Sequence, residues 1–171
     1  EAIGRRLAEP DPPEIVLINP VTAQGWLEPI AMDSARARLV EALRRIDRHG
    51  RFRIYHPYTA AGEPIYVHAK ILIVDEAVIR VGSSNFNNRS LRLDTECDVT
   101  IEQDGTTIPA IRADLLAEHL GSTADEVAAA TARHGLIGAI ERLRGPGRTL
   151  IPYEVEDLDA VRGWLADNEV L

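Results

Sequence analysis

Lysine is nearly absent from this chain. Lys70 is the only one, and the other eighteen cationic side chains are arginine. Cysteine is as scarce: Cys97 stands alone, which excludes an internal disulfide and leaves the redox compartment open. No apolar run approaches the roughly 18 residues a membrane-spanning helix needs, and stretches such as Ile71 to Val74 have strand length. No secretory leader, internal repeat or low-complexity tract is visible. No Cys/His/Asp set has metal-ligand spacing, so no metal or other cofactor is expected. A net charge of −8 over 171 residues argues against a general nucleic-acid binder, which would present a basic face.

That charge is uneven. Residues 103–171 carry twelve acids against six arginines, whereas Arg36 to Arg53 holds seven arginines against Glu41 and Asp47. A solvated helix face accounts for such a cluster, and contact with anionic lipid headgroups is the functional alternative. The remaining composition, 45% hydrophobic and 27% charged, suits one ordinary globular domain.

Pattern along the chain predicts alternating helices and strands. Residues 1–9 read as the end of a helix broken by Pro10-Asp11-Pro12-Pro13, and Glu14–Ile18 as a buried strand. Asp33 or Ser34 would cap a helix running to about Arg48, with Ala35, Leu39, Leu43 and Ile46 at helical spacing. A short strand over 52–55, a turn over 60–64, a hairpin of Ile65–Val74 with Val78–Val81, and a strand over Glu96–Ile101 follow. Helical patterns then cover 108–120, 124–134, 136–143 and, after Gly145-Pro146-Gly147, 157–167. Trp26 and Trp164 are assigned to the core. The fold class expected is α/β, an α/β sandwich with a mixed central sheet and a C-terminal helical tail.

Chemistry concentrates around the lone lysine. On a strand His68 and Lys70 share a face, together with Tyr66. A compact ammonium and a guanidinium fork are not interchangeable at a phosphate, so one lysine among arginines invites a chemical role. Ser83 and Asn85 form a second i, i+2 pair beside Gly82, whose missing side chain permits close approach of backbone to an anion. Lys70, Ser83 and Asn85 thus supply cationic and hydrogen-bonding groups suited to non-bridging phosphate oxygens. An acid, base or nucleophile at His68 needs its second ring nitrogen held, and Glu96 is the carboxylate placed for that. Its parity is opposite to that of Val99 and Ile101, which read as core. Asp75 lies at an odd offset from His68 and is expected to brace the turn. Ser84, Asn87 and Asn88 read as turn residues, and His49, His56, His119 and His134 as ordinary surface or core histidines.

His68-x-Lys70-x4-Asp75-x6-Gly82-Ser83-x-Asn85 resembles the HKD signature of the phospholipase D superfamily, with its trailing GSxN element. The flanking Pro64–Lys70 and Asn87–Glu96 segments resemble the second motif of bacterial phospholipase D and cardiolipin-synthase-like enzymes. The likeness is dense from Glu14 to Gly121. It implies residues 1–121 as a catalytic half with one HKD motif and 122–171 as a helical tail packed on it. It also implies metal-free cleavage or transfer of a phospholipid headgroup diester through a phosphohistidine, with two HKD motifs meeting at a twofold. His68, Lys70, Glu96 and Asp75 would be the catalytic set, and Ser83, Asn85 and Gly82 the phosphate-binding set.

One motif is half of such a site. The expected partners are therefore a phospholipid substrate and a second HKD half, supplied upstream in the same polypeptide or by a second subunit. The helical opening without an initiator Met and the long helical tail favour the upstream arrangement. Peripheral membrane contact is compatible, nucleic acid is not expected, and a cytoplasmic or membrane-associated place is favoured. A homodimeric nuclease of the same superfamily and an inactive half-site module are the competing readings.

Overall fold

The structure, a computed structural model, describes residues 2–21 and 28–154, with the side chains of 28–35 and of Asn88 left aside. The chain runs α1 (Ala2–Leu7), β1 (Ile15–Ile18), α2 (Glu28–Ile46), β2 (Phe52–Tyr58), β3 (Lys70–Val74), β4 (Val78–Gly82), α3 (Asn88–Arg92), β5 (Asp98–Glu102), α4 (Thr107–Leu120), α5 (Ala124–Leu143) and β6 (Thr149–Pro152). It is an α/β protein.

The single mixed sheet expected from sequence is divided in two. A mixed sheet has the order β1-β2-β6, with β1 parallel and β6 antiparallel to β2. A second, fully antiparallel sheet has the order β3-β4-β5. The first is apolar on both faces, which explains the unbroken run Ile15-Val16-Leu17-Ile18. Ile15, Leu17, Phe52 and Ile54 pack with Leu7, Val40 and Leu43 of α1 and α2. Val16, Ile18 and Tyr55 face the other way, onto Ala113, Leu116, Leu120, Val127 and Ile140 of α4 and α5.

Several boundaries differ from the sequence reading. Helix α2 begins at Glu28, ahead of the expected cap at Asp33 or Ser34, because Pro29 suits a first helical turn, where a missing N–H costs nothing. Strand β2 runs through Pro57, which lies past the last β1 pair at Tyr55 and so has no ladder bond to lose there. Residues 149–152 form β6 against β2, where only an irregular break before the next helix was expected. The expected hairpin strand Ile65–Val74 shortens to Lys70–Val74. After Gly82 the next N–H that would face β3, that of Ser84, turns to the Asp98 carboxylate at 3.3 Å, so β4 leaves β3 there and residues 66–69 pair with no strand among the described residues. The helix expected at 157–167, Trp26 and Trp164 lie outside the described residues.

The expected break at residue 135 is present and has a built cap. Gly135 takes φ 74°, a left-handed value that glycine adopts freely. The helix restarts with the N–H groups of Leu136 and Ile137 donating to the Glu14 carboxylate, which also meets Arg51 at 3.4 Å. Glu14 thereby ties the head of β1 to α5 by satisfying donors that a helix start leaves open. Replacing Glu14 by Ala is expected to cost about 1–2 kcal/mol, as for a lost cap, and to lower Tm by about 2–8 °C in a chain of this size. Thermal denaturation followed by circular dichroism measures it.

Candidate active site

Three strands meet in one rung at the site. Lys70 pairs with Gly82, and Gly82 with Asp98, so these three stand side by side across β3, β4 and β5. Just upstream, His68 is exposed, and its ring stacks on that of Tyr66 with centroids 6.0 Å apart and planes 17° from parallel. The pair is the i, i+2 arrangement read from sequence, carried by extended chain between the two sheets. The Lys70 ammonium donates to the His68 carbonyl at 2.7 Å, which folds the cation back toward the histidine.

Ser83 joins two segments. Its hydroxyl donates to Glu96 Oε2 at 2.6 Å, and Ser83 Oγ itself accepts from the Cys97 N–H at 3.0 Å. Glu96 also takes a hydrogen bond from Ser90 of α3, a buried serine that the sequence reading passed over. Helix α3 is capped by Asn87, whose carboxamide oxygen accepts from the Ser90 N–H at 2.9 Å. The glutamate therefore gathers the Gly82–Asn85 loop and α3 around itself. Lys70 lies near enough to act on it electrostatically. The nearest described company of the His68 ring is Tyr66, and the partners of Glu96 are the two serines.

Asp98 forms a second knot that sequence reasoning missed. It pairs with Arg80 at 2.6 Å and accepts hydrogen bonds from the Ser84 hydroxyl and, at 3.3 Å, the Ser84 N–H. The signal was available: Asp98 is two residues after Glu96, and Arg80 two before Gly82, so each falls on the Lys70 side of the sheet. Ser84, read as a mere turn residue, is the hinge between the loop and β5. Gly82 has a different reason from the one read in sequence. A Cβ there would lie 2.1 Å from Asp98 Oδ1, 2.5 Å from the Cys97 carbonyl oxygen and 2.6 Å from Asp98 Cα. What Gly82 admits in this structure is strand β5.

Asp75 sits in the turn joining β3 to β4, at φ 53°, a left-handed conformation that aspartate tolerates better than most side chains. Arg112 of α4 donates to its carbonyl at 3.1 Å and pairs with Glu76 at 3.3 Å, anchoring the hairpin. Asn85 is exposed, its carbonyl accepting from the Asn87 N–H at 2.8 Å. Val99 and Ile101, expected in the core, are 61% and 52% exposed, because their face of the antiparallel sheet is not packed over by the described helices. Of the other histidines, His56 is buried, with Nδ1 2.9 Å from the Asn19 carbonyl and its ring edge-on to Tyr153.

Both carboxylates of the site are held below the usual carboxylate range. Hydrogen bonds from Ser83 and then Ser90 lower Glu96, and those from Ser84 and then Arg80 lower Asp98. A group whose folded pKa is depressed stabilises the fold above its ordinary value and loses that contribution as pH falls through the folded one. The ordinary values are 4.5 for Glu96 and 3.8 for Asp98. Half-buried His119, depressed chiefly by desolvation, adds a loss of the same sign beginning below 6.5. Tm is therefore expected to be level from about pH 7 to 9, to slip slightly below 6.5, and to drop steeply below about pH 4. The double change Glu96→Gln/Asp98→Asn should lower Tm at neutral pH and flatten the acid limb. A Tm against pH series on both proteins is the check.

The fold thus brings His-x-Lys, a Gly-Ser-x-Asn loop and a serine-anchored glutamate to one end of the antiparallel sheet. Residues 17–116 match the family described as cardiolipin synthase, PLD-like domain. The chain belongs to that family, within the phospholipase D superfamily. It is 35% identical to phospholipase D zeta 2 of Arabidopsis thaliana over 91 residues, 44% of this chain and 9% of that protein. With phospholipase D1 of Cricetulus griseus it shares 45% identity over 51 residues, 29% of this chain and 5% of the relative. A phospholipase D of Phytophthora infestans is 26% identical over 121 residues, 56% and 7% of the two chains. The chain thus spans under a tenth of the length of these curated relatives. No solved structure matches it significantly.

Proposed function

We propose that this chain carries one half of a phospholipid phosphodiesterase or phosphatidyltransferase site, completed by a second HKD half upstream in the same polypeptide or on a second subunit. The observation that supports this most is the open rung itself. His68 is exposed, Lys70 is bonded to its carbonyl and Ser83 to Glu96, so the reactive groups stand at a surface where a second motif can meet them. The family membership and the phospholipase D relatives point to the same substrate class.

In this reading one histidine attacks phosphorus through a ring nitrogen, forming an N–P bond as the P–O bond to the headgroup breaks. The other histidine gives its proton to the leaving oxygen. Water or a second alcohol then attacks the phosphohistidine, losing its proton to the second imidazole, and the N–P bond breaks. His68 takes one of these two parts. Lys70 and Asn85 bind the non-bridging oxygens, with Ser83 and the backbone at Gly82 assisting. Glu96, fixed by Ser83 and Ser90, receives the ring N–H of the imidazole presented to it, and Asp75 holds the hairpin turn. Residues 1–121 form the catalytic half in this reading, with α5 and β6 from beyond residue 121 completing the first sheet and its core.

Light scattering and headgroup release measured on one sample test the proposal. A monomer without turnover that gains activity when a second HKD half is supplied supports the upstream arrangement. A dimer whose turnover vanishes on His68→Ala supports the two-subunit arrangement. Turnover indifferent to His68→Ala overturns both.

A further inference from the structure

Helix α2 presents two stripes to solvent. Leu39, Ala42 and Ile46, at i, i+3 and i+7, make an apolar stripe in which Leu39 is 59% and Ile46 38% exposed. Beside it run the exposed Arg38 and Arg45, also seven apart, and the exposed Arg48 and His49 continue past the helix end. The opposite side of the helix is core, through Ala37, Val40 and Leu43.

The neighbouring charges leave this strip basic. Arg36 is turned inward, bonded to the carbonyls of Pro20 and Val21 and lying over the Tyr153 ring, and Arg44 reaches the Tyr153 carbonyl. Asp47 is turned to the next strand, accepting from the N–H groups of Arg51 and Phe52 at 2.8 and 2.9 Å. Glu41, on the same helix, is paired to Arg45. At its C-terminal end the strip opens into a hollow of about 280 Å³, lined by Leu7, Ala8, Arg45, Ile46, Arg48 and His49. Its floor is apolar and its rim cationic.

We propose that this face of α2 is a docking surface for a bilayer containing anionic phospholipid. Exposed leucine and isoleucine interleaved with arginine is the pattern of an interfacial helix: the apolar groups enter the acyl boundary and the guanidinium groups stay with the headgroup phosphates. In a chain of net charge −8 a basic strip complements an anionic surface only locally, which orients the protein on it. Nucleic acid would meet the arginines but gives Leu39 and Ile46 nothing to bury against. The inference rests on the lipid reading of the active site only for its choice of partner, since docking requires no turnover.

Sedimentation with vesicles tests it without catalysis. The chain should bind vesicles of phosphatidylcholine with about one third phosphatidylglycerol, bind pure phosphatidylcholine far less, and release as salt rises from about 0.05 to 0.5 M. Arg38→Gln/Arg45→Gln should weaken binding roughly twenty- to thirtyfold, and Leu39→Ser/Ile46→Ser roughly tenfold. Arg133→Gln/Arg142→Gln, the same charge change on α5, should leave it within about twofold. Melting curves confirm that each variant is folded, and the wild-type lipid and salt dependence stands independently of any variant. Equal binding to both vesicle types, equal loss in the α5 control, or capture of duplex DNA in place of vesicles would overturn the proposal. Binding as expected with no lipid turnover by the completed site would instead overturn the proposed function and leave the docking face supported.

Discussion

Replacing His68 by Ala should lower headgroup release by the completed site on the order of 10³-fold or more, the scale seen when a residue that makes or breaks bonds is removed from a catalytic unit. Tm should scarcely move. The imidazole is exposed and stacks on the Tyr66 ring, so little packing is lost with it. That split between activity and stability separates a reacting histidine from a structural one. His134→Ala, on α5 and away from the motif, is the matched control and should leave turnover unchanged. If the two changes acted alike, the assignment of chemistry to His68 would be wrong.

Gly82→Ala should damage both fold and site. The added methyl would overlap Asp98 and the Cys97 carbonyl, and two of its three nearest atoms are backbone, of Cys97 and of Asp98 at the head of β5. No rotamer change relieves a backbone clash, so β4 and β5 must part. Separation breaks the Gly82–Asp98 rung and pulls Asp98 from Ser84 and Glu96 from Ser83. A loss of about 3 kcal/mol is expected, the upper range for overpacking a tight position. Headgroup release should fall with it, because the loop that carries Ser83 and Asn85 loses its anchor. Gly145→Ala has open space around its Cβ and should be neutral within about 0.5 kcal/mol. Chemical denaturation of the two variants beside the wild type gives the comparison.

Short-range chemistry was the legible part of this chain. His68, Lys70, Asp75 and Gly82-Ser83-x-Asn85 could be found because their spacing is local and their residue types are rare together. The break at Gly135 was legible for the same reason: glycine interrupts a helical pattern at one point. What the chain does not display locally is which distant segments meet. The role of Gly82 depends on β5 arriving sixteen residues later, where Asp98 stands opposite it. Glu14 capping Leu136 joins residues 122 apart. Strand β6 was hidden because a four-residue apolar run, Thr149–Pro152, acquires its meaning only beside β2. The two-sheet division was equally nonlocal. It follows from where Ser84 sends its N–H, to the side chain of distant Asp98, and nothing in the Ile65–Val74 pattern announces that.

Joined to a second HKD half, this motif should turn over phospholipid headgroup diesters through an enzyme-bound phosphoryl group. The direct measurement is product analysis from labelled phosphatidylcholine and phosphatidylglycerol in the presence of ethanol, with the completed site and with its His68→Ala variant. The account predicts release of the headgroup, phosphatidate alongside phosphatidylethanol, and neither product from the variant. Persistence of both products in the variant, or cleavage of DNA with the lipids left intact, would contradict it.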